Sequence, residues 1–419
     1  MPGKDSDMEK VMPLQGIRVA TLAWIGVGPM AIRYLSHWGA TVVRIENHRR
    51  IDTLRLPQPS NLGVTGVNRS PFFALANGAV YGVSIDLNRR SGLDIAWRLI
   101  KWADVLAESF TPGTMAKWGL DYKNVSKVKP DIVYVSTCQM GQTGPLAKFG
   151  GYGFHASAMA GITHLTGWPD RPPTPHAVAF VDVLASRYVA GSILSALEYR
   201  RRTGRGQYLD VAQCECGIQN IAPVIMDYLA NGRSQTRSGN SLPNAAPHGV
   251  YPCKGDDRWV AIAVFNDTQW QAFCNVINQQ RAVDPIFSSL LLRKQNEAEL
   301  NELVSKWTMN YTAEEVEASL QAKGVPCHVV STAEDVFKDP QLKHRNFLRK
   351  LKHSVMDEHT YFTLGFKLSK VEGDWRTGPA LGEHNEYVFK ELIGMTDDEI
   401  AEALAEGGIT TDADLVQVD

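Results

Sequence analysis

The sequence predicts an α/β fold: a large parallel-sheet, Rossmann-like domain joined to a smaller α+β domain. Three observations carry that expectation. Residues 13–46 run strand, glycine turn, helix, Gly-Ala, strand; a second unit of the same kind follows from 83; and after 232 the pattern changes to alternating strands mixed with helices. At 419 residues with 44% hydrophobic content, the chain is too long for one ordinary domain and can bury a sizeable core. The expected division is 1–231 for the first part of the large domain, 232–335 for the small α+β domain, and 336–419 for a return to the large one.

In order, the apolar run 17–23 reads as a first strand, Gly26-Val27-Gly28-Pro29 as a turn into a helix, and 41–45 as a second strand closed by Glu46. Parallel strands need such a crossover. The turn imitates a dinucleotide fingerprint, but its third glycine is missing and Pro29 stands at the helix start, so the NAD signal is weak. A loop rich in Pro, Asn and Gly covers 47–70. Strands are expected at 83–87, 104–108 and 132–136, with a helix over 92–102 that turns Leu93, Ala96, Leu99 and Ile100 inward. Beyond 136 comes GQTGPLAKFGGYG, where glycine lets the backbone approach a ligand and leaves N–H groups for an oxyanion; an ordinary flexible loop has the same composition.

The stretch 180–213, FVDVLASRYVAGSILSALEYRRRTGRGQYLDVAQ, reads as an acid at a helix start, about four turns of helix, a Gly/Arg turn and a strand. Asp182 is expected at the N-cap, where a carboxylate accepts backbone N–H groups and the positive end of the helix dipole keeps it ionised. Leu184, Val189, Ile193, Leu194 and Leu197 supply an apolar face, and Arg200, Arg201 and Arg202 suit the C-terminal end. From the residues alone, Asp182 is either a cap or a nucleophile.

The net charge of −2 leaves no electrostatic footprint for nucleic acid or an anionic membrane, so an anionic ligand must be met locally. No run of 18 apolar residues occurs and the first dozen residues lack a secretory apolar core, which points to a cytoplasmic protein with no membrane partner. The six cysteines have no paired spacing and are expected as free buried thiols, with no metal site.

Asp182 followed by GSILSALEYRRRTGRGQYLDVA resembles the core signature of the class III CoA-transferases, the formyl-CoA-transferase type, whose catalytic aspartate stands this far ahead of an A-L-x-x-R-x-x-T-G-x-G-Q run. PLQGIRV through GATVVRIE, ADVLAESFTPGTMAKWGL, STAEDVFKDPQL and GPALGEHNEYVFKELIG resemble further family motifs, so the likeness covers 13–394. It implies that Asp182 attacks an acyl-CoA, forming a mixed anhydride and then an aspartyl-CoA thioester that an acceptor carboxylate takes over. ATP, metal and a permanently bound cofactor are not needed; the CoA thioester is a substrate. Gly150, Gly151 and Tyr152 match the family's oxyanion or substrate loop, and Ile25, Gly26, Asn47, Ile85, Asn88, Ser109, Phe110, Thr111 and Lys117 match positions that contact CoA.

The resemblance further implies an interlocked dimer, of identical chains or with a related subunit. Succinyl-CoA is the expected donor and a carboxylic acid such as the aromatic 2-benzylsuccinate the acceptor, with Trp24, His164, Trp168 and Phe180 near the motifs. The chain departs from the pattern in several places. Ala79, Val80 and Tyr81 replace the usual basic pair, Asn47 replaces a basic residue, Ser109 replaces Asn and Gly153 replaces an acid, leaving His48, Arg49, Arg50, Arg89 or Arg90 as substitute cations. Tyr152 stands where the related racemases carry a histidine base. A racemase of the same fold, an NAD dehydrogenase and a non-catalytic subunit of a heteromeric transferase are the rival readings.

Overall fold

The computed structural model of the chain describes residues 11–56 and 63–415. Six strands, β1 (Arg18–Thr21), β2 (Thr41–Glu46), β3 (Tyr81–Ser84), β4 (Val105–Glu108), β5 (Val133–Cys138) and β6 (Gln207–Ala212), form one sheet in the order β3-β2-β1-β4-β5-β6. Every pairing in it is parallel. Successive side chains point to opposite faces. Val19, Val42, Val105, Val133 and Val135 join one core, and Ala20, Val43, Leu106 and Tyr134 join the other. The central strands are buried on both faces, which is why they are mostly apolar; β2 departs from that with the buried Arg44 and Glu46.

The helices along this part of the chain are α1 (Val27–Ser36), α2 (Pro71–Ala76), α3 (Arg90–Trp102), α4 (Thr114–Lys117), α5 (Tyr122–Val128), α6 (Gly153–Met159), α7 (Ile162–Leu165), α8 (Phe180–Thr203), α9 (Gln213–Gln219) and α10 (Ala222–Asn231). Ile32 and Leu35 of α1 and Val189, Ile193 and Leu197 of α8 cover one face; Ile95 and Leu99 of α3, with Val388 and Phe389 from far along the chain, cover the other. α8 is 24 residues long, about seven turns rather than four. It has no proline to stop it, and it ends only where Gly204 takes a left-handed φ of 69°. By length and composition α8 could cross a membrane, with a mean hydropathy of 1.4 over its most apolar window. Here it lies against the sheet, and Leu194, expected on its apolar face, is exposed.

The chain divides into two compact units: one holds Met1–Ile162, Pro175–Met226 and His344–Asp419, the other Thr163–Thr174 and Asp227–Lys343. The second is built on the antiparallel strands β7 (His248–Pro252), β8 (Trp259–Ala263) and β9 (Cys327–Val329) with α11 (Asp267–Ile277), α12 (Leu290–Gln295), α13 (Glu297–Thr308) and α14 (Ala313–Gln321). Trp270, Phe273, Phe287, Leu300 and Val304 form its core. In the first unit the C-terminal segment returns to the sheet, where the His384 N–H donates to the Gly82 carbonyl at 2.9 Å and the Ser84 N–H to Asn385 Oδ1 at 2.8 Å. All six cysteines are free and buried.

Candidate active site

In this strand order the winding of the sheet switches between the parallel neighbours β1 and β4, and open α/β sheets form their ligand crevice at the carboxyl ends of such a pair. Two hydrogen bonds tie the ends together: the Trp24 N–H donates to Ser109 Oγ at 2.8 Å, and the Ser109 hydroxyl donates back to the Trp24 carbonyl at 3.2 Å. The chain then turns sharply at Ile25, which has a left-handed φ of 59°, and Gly26 caps α1. A Cβ on Gly28 would lie 2.3 Å from Ala23 Cβ, so only glycine lets the helix start this close to the strand it follows.

Because α1 and α8 cover the same sheet face, their N-terminal ends meet. A Cβ on Gly26 would sit 3.2 Å from Asp182 Oδ2, and one on Gly153 only 2.6 Å from Asp182 Cγ. The carboxylate is therefore held between the starts of α1 and α6. It is not the N-cap expected from the sequence. Ala179 holds that place, and the Asp182 N–H donates to the Ala179 carbonyl at 3.0 Å. With no capping side chain at Ala179, Phe180 and Val181 join the helix, and Asp182 becomes its third residue. Its carboxylate leans on two glycines instead of the amides of its own first turn, and Oδ1 has no hydrogen-bond partner.

The carboxyl is expected to be ionised, and it is, though it holds its proton more tightly than an ordinary aspartate. Burial without a partner pushes the Asp182 carboxyl up to about 6. At pH 7 it remains ionised in about nine molecules of ten.

The glycine loop contributes differently from expectation. Gly150, Gly151 and Tyr152 are exposed, and the Tyr152 N–H is already engaged, donating to His155 Nδ1 at 3.1 Å. Gly153, read from the sequence only as a departure, is the residue that touches the carboxylate. It opens α6, where the His155 and Ala156 amides donate to the Tyr152 carbonyl at 2.8 and 3.3 Å, while its own amide and that of Phe154 precede the first carbonyl the helix can offer. Gln139, buried just past β5, props the loop from behind: its Nε2 donates to the Tyr152 carbonyl at 3.3 Å, and a Cβ on Gly151 would lie 2.3 Å from its Oε1. Sequence reasoning missed Gln139; the only signal was a polar residue directly after an apolar strand.

Of the residues matched to CoA contacts, Ile25, Gly26, Ser109 and Phe110 gather at the crevice. Phe110 lies between Trp24 and Trp118, with ring centroids 6.2 and 5.8 Å away, and the Trp118 indole donates to Asn88 Oδ1 at 3.2 Å. Thr111 and Lys117 are exposed nearby in sequence, and Asn47 bridges to Arg50 at the end of β2. Ile85 is different: its side chain is buried, its N–H donates to the Glu46 carbonyl, and it pairs with Ile409, so its part is packing.

The substitute cations also sort themselves. His48 is buried against Ser84 and Thr410, and Arg49 is committed to Asp86 and Asp414. Arg50, Arg89, Arg90 and Lys117 are exposed and make no ion pair among the described residues, and the Arg50 guanidinium lies 5.3 Å from the Trp24 ring centroid. Glu46, which a dinucleotide-binding protein would offer to a ribose, spends both oxygens on Arg55 at 2.9 and 2.7 Å. The dehydrogenase reading falls with it.

The fold is thus that of a doubly wound α/β protein with a largely desolvated carboxylate at the switch point of its sheet. The family model described as "CoA-transferase family III" matches residues 14–385, and the chain belongs to that family. It is 32% identical over 392 residues to the succinyl-CoA–D-citramalate CoA-transferase of Chloroflexus aurantiacus, covering 93% of this chain and 96% of that protein. It is 31% identical to the succinate–glutarate CoA-transferase of Agrobacterium fabrum, covering 91% and 96%. A crystal structure of a CAIB/BAIF family protein from Brucella suis superposes with a TM-score of 0.84 at 32% identity, over 91% of this chain and 99% of that one. The chain is thus a family III CoA-transferase, whose substrates are CoA thioesters and carboxylic acids.

Proposed function

We propose that the protein transfers CoA from succinyl-CoA to a dicarboxylic acid, with Asp182 as the covalent nucleophile. The observation that carries this reading is the half-buried Asp182 carboxylate, whose Oδ1 is shielded from water without a partner and which two glycines approach more closely than any side chain could. An Asp182 oxygen attacks the thioester carbon and the CoA thiolate leaves, giving a mixed anhydride. The thiolate then attacks the aspartyl carbonyl and releases succinate, leaving aspartyl-CoA thioester. The acceptor carboxylate attacks that carbonyl, and the thiolate, expelled again, attacks the acceptor side of the new anhydride and frees Asp182. The Gly153 and Phe154 amides, which open α6, support oxyanion stabilisation in each tetrahedral state.

The relatives named for citramalate and glutarate support a dicarboxylic acceptor. An aromatic one such as 2-benzylsuccinate draws support from Phe180, stacked on His176 at 4.9 Å two residues before the nucleophile, and from Trp24. His164 and Trp168 belong to the second unit. Exposed Ile218, Ile225 and Met226 on α9 and α10 support pairing with a second chain, identical or related. A racemase is disfavoured because Tyr152, its side chain exposed, replaces the histidine base.

Mixing with succinyl-CoA and then hydroxylamine should convert the activated aspartyl group to a hydroxamate that peptide mapping assigns to Asp182. An adduct elsewhere, or none while the enzyme turns over, would refute the assignment. An acceptor screen of citramalate, glutarate and 2-benzylsuccinate then ranks the dicarboxylates.

A further inference from the structure

Behind the Ile25–Gly26 turn lies a cluster of charged side chains with almost no contact with water. Arg44, Glu46, Asp52 and Arg55 are each at most 3% exposed. Arg44 pairs with Asp52 and donates to Asn77 Oδ1 at 2.6 Å, and both arginines lie over the Phe73 ring, at 5.1 and 3.6 Å. Asp52 uses both oxygens: Oδ1 accepts the Leu54 N–H at 2.8 Å, and Oδ2, besides meeting Arg44, accepts the Ile25 N–H at 3.1 Å. Ile25 is β-branched yet holds a left-handed φ of 59°, a conformation that persists only when its surroundings impose it. The next residue, Gly26, forms one wall of the Asp182 carboxylate.

We infer that Asp52, held by Arg44, is a positioning residue that clamps the Ile25–Gly26 turn against Asp182 and so keeps water away from the nucleophile. The inference rests on Asp182 being that nucleophile. A buried ion cluster of this size is a costly way to stabilise a fold, because desolvating the charges offsets most of their attraction. As a clamp it has a use that apolar packing could not supply: the carboxylate fixes a single backbone N–H in a strained turn. The groups packed on Asp182 from each side, Gly26 of α1, Gly153 of α6 and Ala179 before α8, carry no charge. How tightly Asp182 holds its proton is therefore governed by how much water reaches it.

The test uses the full-length protein and two readouts. Asp52→Asn keeps an acceptor for the Ile25 N–H but loosens Arg44; Arg44→Lys loosens the same pair from the other side and serves if the first variant does not fold. In either, transfer should slow by about 10- to 100-fold in kcat with a smaller change in KM, the signature of an interaction felt at the reacting centre. The second readout needs no turnover. In protein labelled with 13C at the aspartate carboxyls, the resonance lost in Asp182→Asn identifies Asp182, and its titration midpoint should fall from about 6 in the wild type towards the ordinary aspartate value near 4 in both clamp variants. Combining Asp52→Asn with Ile25→Gly should recover part of the lost rate, since glycine adopts the turn without a clamp. An unmoved Asp182 midpoint in folded clamp variants overturns the inference, whatever the enzyme turns over. A wild type that titrates as stated but transfers no CoA would instead refute the proposed function.

Discussion

The two walls of the Asp182 pocket are built in opposite ways. On the α1 side the Ile25–Gly26 turn is backed by fully buried ion pairs and tied to β4 through Ser109. On the α6 side Gly153 is preceded by three exposed residues, held by Gln139 Nε2 and the His155 and Ala156 amides, which all donate to the Tyr152 carbonyl, and by the Tyr152 N–H donating to His155 Nδ1. One wall is fixed before substrate arrives; the other can adjust. On the proposed route Asp182 meets a succinyl group, a CoA thiolate and a second acid in turn, which calls for one invariant reference surface and one that accommodates each partner.

The contrast can be broken outright by removing what both walls enclose. Asp182→Asn should reduce transfer by about 10³-fold or more, since the amide cannot form the anhydride. Its melting temperature at pH 8 should be unchanged or higher, because no cap is lost and a desolvated charge is removed; a strongly destabilised variant would mean the carboxylate has a structural partner. Adding a methyl to each wall should sharpen the difference. Gly153→Ala would put Cβ 2.6 Å from Asp182 Cγ, so kcat should fall by about 100-fold, while Gly26→Ala, at 3.2 Å from Oδ2, should cost about tenfold. Equal losses in the two variants would show that the walls are equally stiff.

A third prediction concerns pH. The Asp182 pKa is raised, so its active, ionised form is lost as pH falls through about 6; kcat/KM should decline below that point, about two units above an ordinary aspartate. A profile flat to pH 5 would show that water reaches the carboxylate freely.

The smallest effects lie outside both walls. Lys117→Ala should weaken CoA binding by about three- to tenfold in Kd with kcat unchanged at saturation, because such a contact is equal in ground and transition states. Glu108 is buried below the crevice, where its Oε2 accepts the Phe110 N–H at 2.6 Å, and burial pushes its carboxyl up to about 7. A folded pKa above the unfolded one means stability that is full below about pH 4.5 and falls as pH rises to about 7. Glu108→Gln should therefore stabilise the protein at pH 8, by at most about 3 kcal/mol, and little at pH 4.5. Equal denaturation midpoints at pH 8 would show that the charge is compensated.

Much of the fixed wall was legible in the sequence. The strand-turn-helix-strand pattern of 13–46 set the sheet and the glycine turn, because periodicity and glycine are local signals. The clamp was not legible. Arg44 and Glu46 sit in a strand and Asp52 in a polar loop, and their burial comes from pairing with one another and with the ring of Phe73, which no periodic pattern encodes. The offset at Asp182 has a similar cause. Asp is a strong capping residue, so reading it as the cap was reasonable, but whether a helix starts three residues earlier depends on what packs over Phe180 and Val181. On the adaptable wall, Gly153 looked like a lost acid because sequence shows residue types and not clearances.

The burial of all six sulfurs bears on what happens when an activated acyl group lingers. Cys138, Cys216, Cys253 and Cys274 are pushed up to about 11, Cys327 to about 12, and Cys214 is also raised, in each case chiefly by burial. At pH 7 a thiol with a pKa near 11 is a thiolate in about one molecule in 10⁴, and only the thiolate competes for an acyl carbon. Each turnover exposes the protein to CoA thioesters, reagents that can S-acylate ordinary cysteines and leave dead-end adducts. With its own sulfurs silenced, the chain leaves the CoA thiolate as the one sulfur nucleophile able to intercept the acyl group, and protects itself from acylation by its own substrate.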